Sequence, residues 1–326
     1  MDLATDYLGL RLRNPLVAAA STLSQTVEGI RRLADAGIGA VVLYSLFEEQ
    51  LGDEPIPDDD PSIAEGLDRP QRAEQLSPRE YLTLLEQARS AVDVPVIGSL
   101  NGASAGGWAR YARAMQDAGA SAVELNVYWI PGAGTSASEV ESRHVEVLSA
   151  VKAVVSVPVA VKLSPFCIAS GEVDLRLDAA GADGLVLFNR FLHPDIDPDT
   201  LKLVPTLELS SPVEARLART WISLLRRRVG GSLAATTGVD DAADVARYLL
   251  AGADVVMTAS ALLRHGVGHV GTLLAGLREW MSRKGFDSVE SLRGALSVPA
   301  DIDPAAYARA GYVQVLDAAK FSHSRW

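Results

Sequence analysis

The stretch Glu124-Leu125-Asn126-Val127-Tyr128-Trp129-Ile130-Pro131 sets a carboxylate and an amide on an apolar strand, predicted over Ser121–Val127. Two aromatics and a Pro-Gly turn follow at once. In an α/β barrel, polar groups at the C-terminal ends of strands point into the active-site mouth, so chemistry is expected here. Lys162 is the second such group, in Val159-Ala160-Val161-Lys162-Leu163, an otherwise apolar strand. Desolvating an unpaired ammonium costs several kcal/mol, so a lysine there needs an anionic partner or a task. It could form a Schiff base, hold an anion or stabilise negative charge on a reduced flavin. The plainer alternative is an ion pair with a neighbouring strand, with Glu124 as the candidate.

Asn126 and Asn189 (in Leu187-Phe188-Asn189-Arg190) fall at or near strand ends on the same predicted face. Amides there suit a planar ligand with carbonyl and N–H edges, since each donates and accepts; the alternative is capping of loop backbone. The last two predicted strands end in Ala234-Ala235-Thr236-Thr237-Gly238 and Met257-Thr258-Ala259-Ser260-Ala261, each opening a helix. Small and hydroxyl residues at those two ends suit a phosphate, met by backbone N–H groups and a helix dipole.

Other groups point to less. His144, His193, His265, His269 and His323 form no metal-ligand pattern, and most are expected at the surface. Cys167 could face the pocket, but a lone cysteine is more often inert packing. Trp108, Trp221, Trp280 and Trp326 are expected in the core or at its rim, and Trp129 is singled out by its place in the loop after Asn126.

These residues need a scaffold. A helix ending in Ala-Gly followed at once by an apolar strand recurs at Ala36-Gly37, Ala118-Gly119, Ala180-Gly181 and Ala251-Gly252. The glycine reads as a C-cap at positive φ. Val94-Pro95-Val96-Ile97 and Val157-Pro158-Val159-Ala160 open two more strands. The apolar runs are short, valine-rich and not alternating, as in parallel strands covered on both faces. Strands are predicted at 15–20, 40–45, 95–101, 122–128, 158–164, 184–190, 233–237 and 255–260, with helices between them, among them 26–36, 78–92, 107–118 and 212–229. Eight alternating units predict a (β/α)8 barrel filling residues 1–326 as one domain. A doubly wound sheet is the second choice, but no Gly-x-Gly-x-x-Gly follows the first strand. Residues 5–14 read as a hairpin on the barrel floor. Residues 48–68, acidic and with Pro55, Pro57 and Pro61, read as a long loop or lid, and 192–209 as an insertion after the sixth strand.

A formal charge of −11 argues against nucleic acid or an anionic membrane surface as a partner. One cysteine excludes an internal disulfide and fits a reducing compartment. Without an apolar run long enough to span a bilayer or a signal-peptide pattern, a soluble, cytoplasmic protein is expected.

Taken in order, Asn14-Pro15, Glu124-Leu125-Asn126, Val161-Lys162-Leu163, Asn189 and the paired terminal loops resemble the dihydroorotate dehydrogenase family over nearly the whole chain. That resemblance implies a (β/α)8 barrel binding flavin mononucleotide (FMN) at its C-terminal mouth. Lys162 would then lie against the flavin pyrimidine ring, Ala20 and Ser21 would border the ring, and Thr236, Thr237, Gly238, Ala259 and Ser260 would cradle the phosphate. Asn126 and Asn189 would face flavin or substrate, and similarity also implies a homodimer.

The departures concern the substrate side. The family's cysteine or serine base falls on Trp129 or its neighbours, and neither Trp129 nor Ile130 can accept a proton. A lysine expected near the end of the second strand is Tyr44, and the Asn-rich loop expected after it is replaced by the acidic stretch. A phosphate-loop glycine has become Thr237, tolerable only if its φ is negative.

The leading expectation is therefore an FMN oxidoreductase acting on a CH–CH bond of a small planar substrate other than dihydroorotate. Tyr44 or Tyr128 would be the proton donor, since a phenol suits protonation of a carbanion at neutral pH. Two alternatives remain: a subunit with little chemistry of its own in an electron-transfer assembly, relying on a redox partner protein, or a non-redox barrel using Lys162 as an imine-forming lysine.

Overall fold

A computed structural model describes residues 1–50, 76–102, 107–128, 134–165, 170–190 and 192–322. The expectations for Trp129, Ile130, Cys167, His323, Trp326 and most of the 48–68 stretch concern residues outside these.

Eight parallel strands close into a barrel: β1 (Leu16–Ala18), β2 (Ala40–Val42), β3 (Val96–Gly102), β4 (Ala122–Val127), β5 (Val159–Leu163), β6 (Gly184–Leu187), β7 (Ser232–Ala235) and β8 (Val255–Thr258). Each pairs with the next in sequence, and β8 pairs with β1 through Val256↔Leu16. A ninth strand, Leu46–Phe47, extends the second unit beside the end of β3. The fold is thus the (β/α)8 barrel expected, with strands shorter at their ends than the sequence suggests.

The non-alternating apolar pattern has a direct cause. Val123, Leu125, Val161 and Leu163 face the helices, while Ala122, Ala160, Val186 and Ala234 face the barrel interior. Both faces of every strand are therefore dry. Helices α1 (Val27–Asp35), α2 (Pro78–Ala91), α3 (Trp108–Asp117), α4 (Ala137–Lys152), α5 (Ser170–Ala179), α6 (Ala215–Leu225) and α7 (Ala242–Ala251) follow the first seven strands in turn. Ser77–Glu80, Ser136–Glu139 and Asp241–Asp244 form capping boxes at α2, α4 and α7. The C-cap glycines have the expected positive φ, for example 94° at Gly119 and 125° at Gly252.

The N-terminal hairpin pairs Thr5–Tyr7 with Leu10–Leu12. Tyr7, Leu8 and Leu12 pack against Ala122, Ala160 and Ala234, so the hairpin plugs the barrel floor, as expected for residues 5–14. The insertion after β6 is a β-ribbon, Asp195–Asp197 with Lys202–Val204. The helix predicted over 212–229 is shorter: α6 starts at Ala215, because Glu214 turns back to accept a hydrogen bond from Ser211 N at 2.6 Å.

After β8 come α8 (Ser260–His265) and α9 (His269–Lys284), then a short turn of helix, Val289–Leu292, and the final α10 (Pro304–Ser322). Along α10, Tyr312, Val315 and Leu316 are exposed. No helix among the described residues is long and apolar enough to cross a membrane. The expectation of surface histidines holds for His193 and His265 but not for His144, which burial lowers in pKa and whose Nδ1 lies 2.7 Å from the Val140 carbonyl.

Candidate active site

Two adjoining chambers open at the C-terminal end of the barrel, with volumes of about 350 and 420 Å³. Ala20, Tyr44, Lys162, Asn189 and Leu192 line both. The first continues to Ser21, Thr236, Thr237, Gly238, Ala259 and Ser260. The second continues to Asn126 and Tyr128. Apart from Trp129, which lies outside the described residues, the site residues singled out in the sequence thus lie on one connected cavity, because each stands at the C-terminal end of a strand or just beyond it.

Lys162 stands at the junction. In register it lies beside Asn126, and its side chain is 9% exposed. Glu124, two residues before Asn126 on β4, sits deeper, with its side chain 1% exposed. Its Oε1 lies 3.8 Å from Lys162 Nζ, an ion pair without a hydrogen bond, and neither carboxylate oxygen has a hydrogen-bond partner among the described residues. Burial pushes the Glu124 carboxyl up, and the Lys162 ammonium opposes that rise. The plain ion-pair reading of Lys162 is therefore realised, yet the ammonium also faces both chambers.

The amides act together. Asn189 Nδ2 donates to Asn126 Oδ1 at 3.0 Å, and Asn189 Oδ1 accepts from Arg190 N at 2.9 Å. Asn126 Nδ2 has no acceptor among the described residues and is left as a donor toward the second chamber.

At the far end of the first chamber, Thr237 corrects an expectation. Its φ is +76°, not negative, so a β-branched residue occupies left-handed backbone. Its Oγ1 donates to the Phe188 carbonyl at 3.0 Å, which helps to hold it there. Gly238 N donates to Ser210 Oγ at 3.1 Å, and Ser210 N donates to Ser260 Oγ at 3.0 Å. The end of the insertion is thereby clasped between the two terminal loops.

The two tyrosines differ. Tyr44 is half-buried, its hydroxyl has no hydrogen bond among the described residues, and burial raises its pKa. The Tyr128 hydroxyl is engaged with the backbone of Leu192.

Sequence reasoning missed several lining residues. Asn101 is the last residue but one of β3, in register with Asn126, and the strand-end rule that found Asn126 would have found it. Arg190 lines the first chamber, held by Glu214 at 3.3 Å and by the Glu208 carbonyl. Ser45, Phe47 and Glu49 line the second. Ser210 carried no local signal, because its partners are distant in sequence.

The donor set fits a flavin nucleotide: a buried ammonium and amides at one end of an elongated cavity, and hydroxyls with a helix N-terminus at the other.

A profile of the dihydroorotate dehydrogenase family matches residues 2–281. The chain is 29% identical over 310 residues to a Methanothermobacter thermautotrophicus protein named dihydroorotate dehydrogenase B (NAD(+)), catalytic subunit; the match covers 90% of this chain and 97% of that one. It is 32% identical over 300 residues to the protein of the same name from Methanocella arvoryzae, covering 87% and 94%. With the Thermoplasma acidophilum protein, also of that name, identity is 28% over 301 residues, covering 90% and 98%.

Proposed function

The chain belongs to the dihydroorotate dehydrogenase family, and we propose that it is an FMN-dependent oxidoreductase acting on a CH–CH bond of a planar substrate other than dihydroorotate. The observation that carries this reading is Lys162, a buried ammonium at the junction of two chambers. FMN in the first chamber would supply a two-electron centre that takes or gives a hydride. Lys162 would hold the pyrimidine edge of its ring and balance negative charge there. Ala20 and Ser21 would border the ring, and Thr236, Thr237, Gly238, Ala259 and Ser260 would surround the phosphate.

The second chamber supports the substrate half of the reading. Besides Lys162, the charged side chain lining it among the described residues is Glu49, which repels a carboxylate such as that of dihydroorotate. Asn126 and Asn189 would align a ring carbonyl, and the raised pKa of Tyr44 keeps its phenol protonated as a proton donor.

The relatives named as catalytic subunits support a further element: electrons would pass to a partner chain, and the 326-residue barrel, as a homodimer, would act as its flavin-bearing member.

The test is an absorbance spectrum of the purified protein before and after adding FMN. Flavin bands after adding FMN, with flavin reduction by dihydroorotate slow or absent, are expected. A colourless protein that takes up no FMN overturns the cofactor reading, and rapid reduction by dihydroorotate overturns the substrate reading.

A further inference from the structure

Resting on the flavin reading, we propose that Glu124 is a positioning residue that sets, through Lys162, how strongly the pocket favours reduced over oxidised flavin. Glu124 occupies the barrel interior beneath the chambers, with both carboxylate oxygens buried and without hydrogen bonds among the described residues. Buried carboxylates are ordinarily satisfied by several donors, so a carboxylate with one cationic neighbour is held for that neighbour's sake or not at all. The neighbour is Lys162 Nζ at 3.8 Å.

Among the described residues, Tyr7 from the floor hairpin and Tyr81 from α2 also feel Glu124, and burial raises both phenols. They stay neutral and provide no countercharge. Tyr81 is also committed elsewhere, since its hydroxyl accepts from Ser99 N at 2.9 Å.

The Lys162 ammonium at 3.8 Å opposes the upward push of burial on Glu124, and with Glu124 ionised that ammonium divides its field between the carboxylate behind it and the pocket before it. The carboxylate fixes where Nζ sits and partly cancels its charge. Removing that charge leaves a stronger cation facing the ring, which favours the more negative, reduced state.

The experiment compares the FMN-loaded parent with Glu124→Gln, Lys162→Met and the double variant in spectroscopic redox titrations. Glutamine keeps the shape and removes an unsatisfied charge, so the fold is retained, and thermal unfolding checks this. Glu124→Gln is expected to raise the preference for reduced flavin about tenfold, an upward shift of about 30 mV for a two-electron couple. Lys162→Met shifts it the other way, and the double variant matches Lys162→Met, because Glu124 acts through the lysine. A folded Glu124→Gln protein that binds FMN at the parent potential overturns the proposal while leaving the cofactor reading intact. A parent that takes up no FMN overturns both.

Discussion

Tyr128 and Leu192 meet across the cavity mouth: the Tyr128 hydroxyl lies 3.2 Å from both the backbone nitrogen and the carbonyl oxygen of Leu192. It accepts from the first and donates to the second, tying the end of β4 to the insertion after β6. Its proton is therefore committed, whereas the Tyr44 hydroxyl, with no partner among the described residues, can give one. Tyr44→Phe is expected to lower kcat by about 10²-fold or more, the usual contribution of a positioned general acid. Tyr128→Phe should instead raise KM, by loosening the insertion over the second chamber. Steady-state kinetics with any substrate that reduces or reoxidises the flavin separates them, and the reverse pattern would exchange their roles.

Thr237 stores strain. A β-branched residue at φ +76° costs about 1–3 kcal/mol, against which the Oγ1 bond to Phe188 returns about 1 kcal/mol. Thr237→Gly is expected to stabilise the fold by about 1 kcal/mol, while Thr237→Ala, which keeps the strain and loses the bond, destabilises it by a similar amount. Urea unfolding of the two variants gives the answer, and equal destabilisation by both would show that the backbone is not strained here.

Asp254, before β8, anchors the end of the barrel remote from the chambers. It lies 3.0 Å from Arg226 and 2.8 Å from Arg293, and accepts from Leu233 N at 2.7 Å. Asp254→Asn leaves two guanidinium groups sharing a neutral amide and is expected to cost about 3 kcal/mol, without altering flavin affinity. Thermal unfolding and a flavin titration read the two effects separately. A large loss of flavin affinity in a stable variant would contradict this purely structural assignment.

The strands and their order were legible because their signals are local. An Ala-Gly cap beside a valine-rich run marks a helix-to-strand junction wherever the chain later goes, and Lys162 is conspicuous within five residues. What stayed hidden depends on distant partners. The clasp of Gly238 to Ser210 joins residues 28 apart in sequence, and the φ of Thr237 is set by that neighbourhood and not by the threonine. Arg190 reads as an ordinary loop arginine until Glu214 is seen to hold it. The split of duties between Tyr44 and Tyr128 follows from one backbone contact at Leu192, for which neither tyrosine carries a sequence mark.

Asp174, on α5, is a buried carboxyl that plays no part in the proposed chemistry. It is fully buried, neither oxygen has a hydrogen-bond partner among the described residues, and desolvation pushes its pKa from 3.8 to about 8. The folded protein therefore keeps this proton to about pH 8, whereas the unfolded chain releases it near pH 4. Between these values folding requires proton uptake, so stability is greatest below about pH 4 for this group and falls as pH rises, levelling off above about pH 8. A rise of that size corresponds to about 6 kcal/mol, an upper bound that local opening and water entry reduce. Asp174→Asn removes the titration. Its unfolding free energy should match the parent's near pH 4, exceed it increasingly toward pH 8, and hold a constant advantage above. Denaturant unfolding of both proteins at pH 5, 7 and 9 tests this, and parallel profiles would mean that Asp174 ionises in the folded state at its ordinary value.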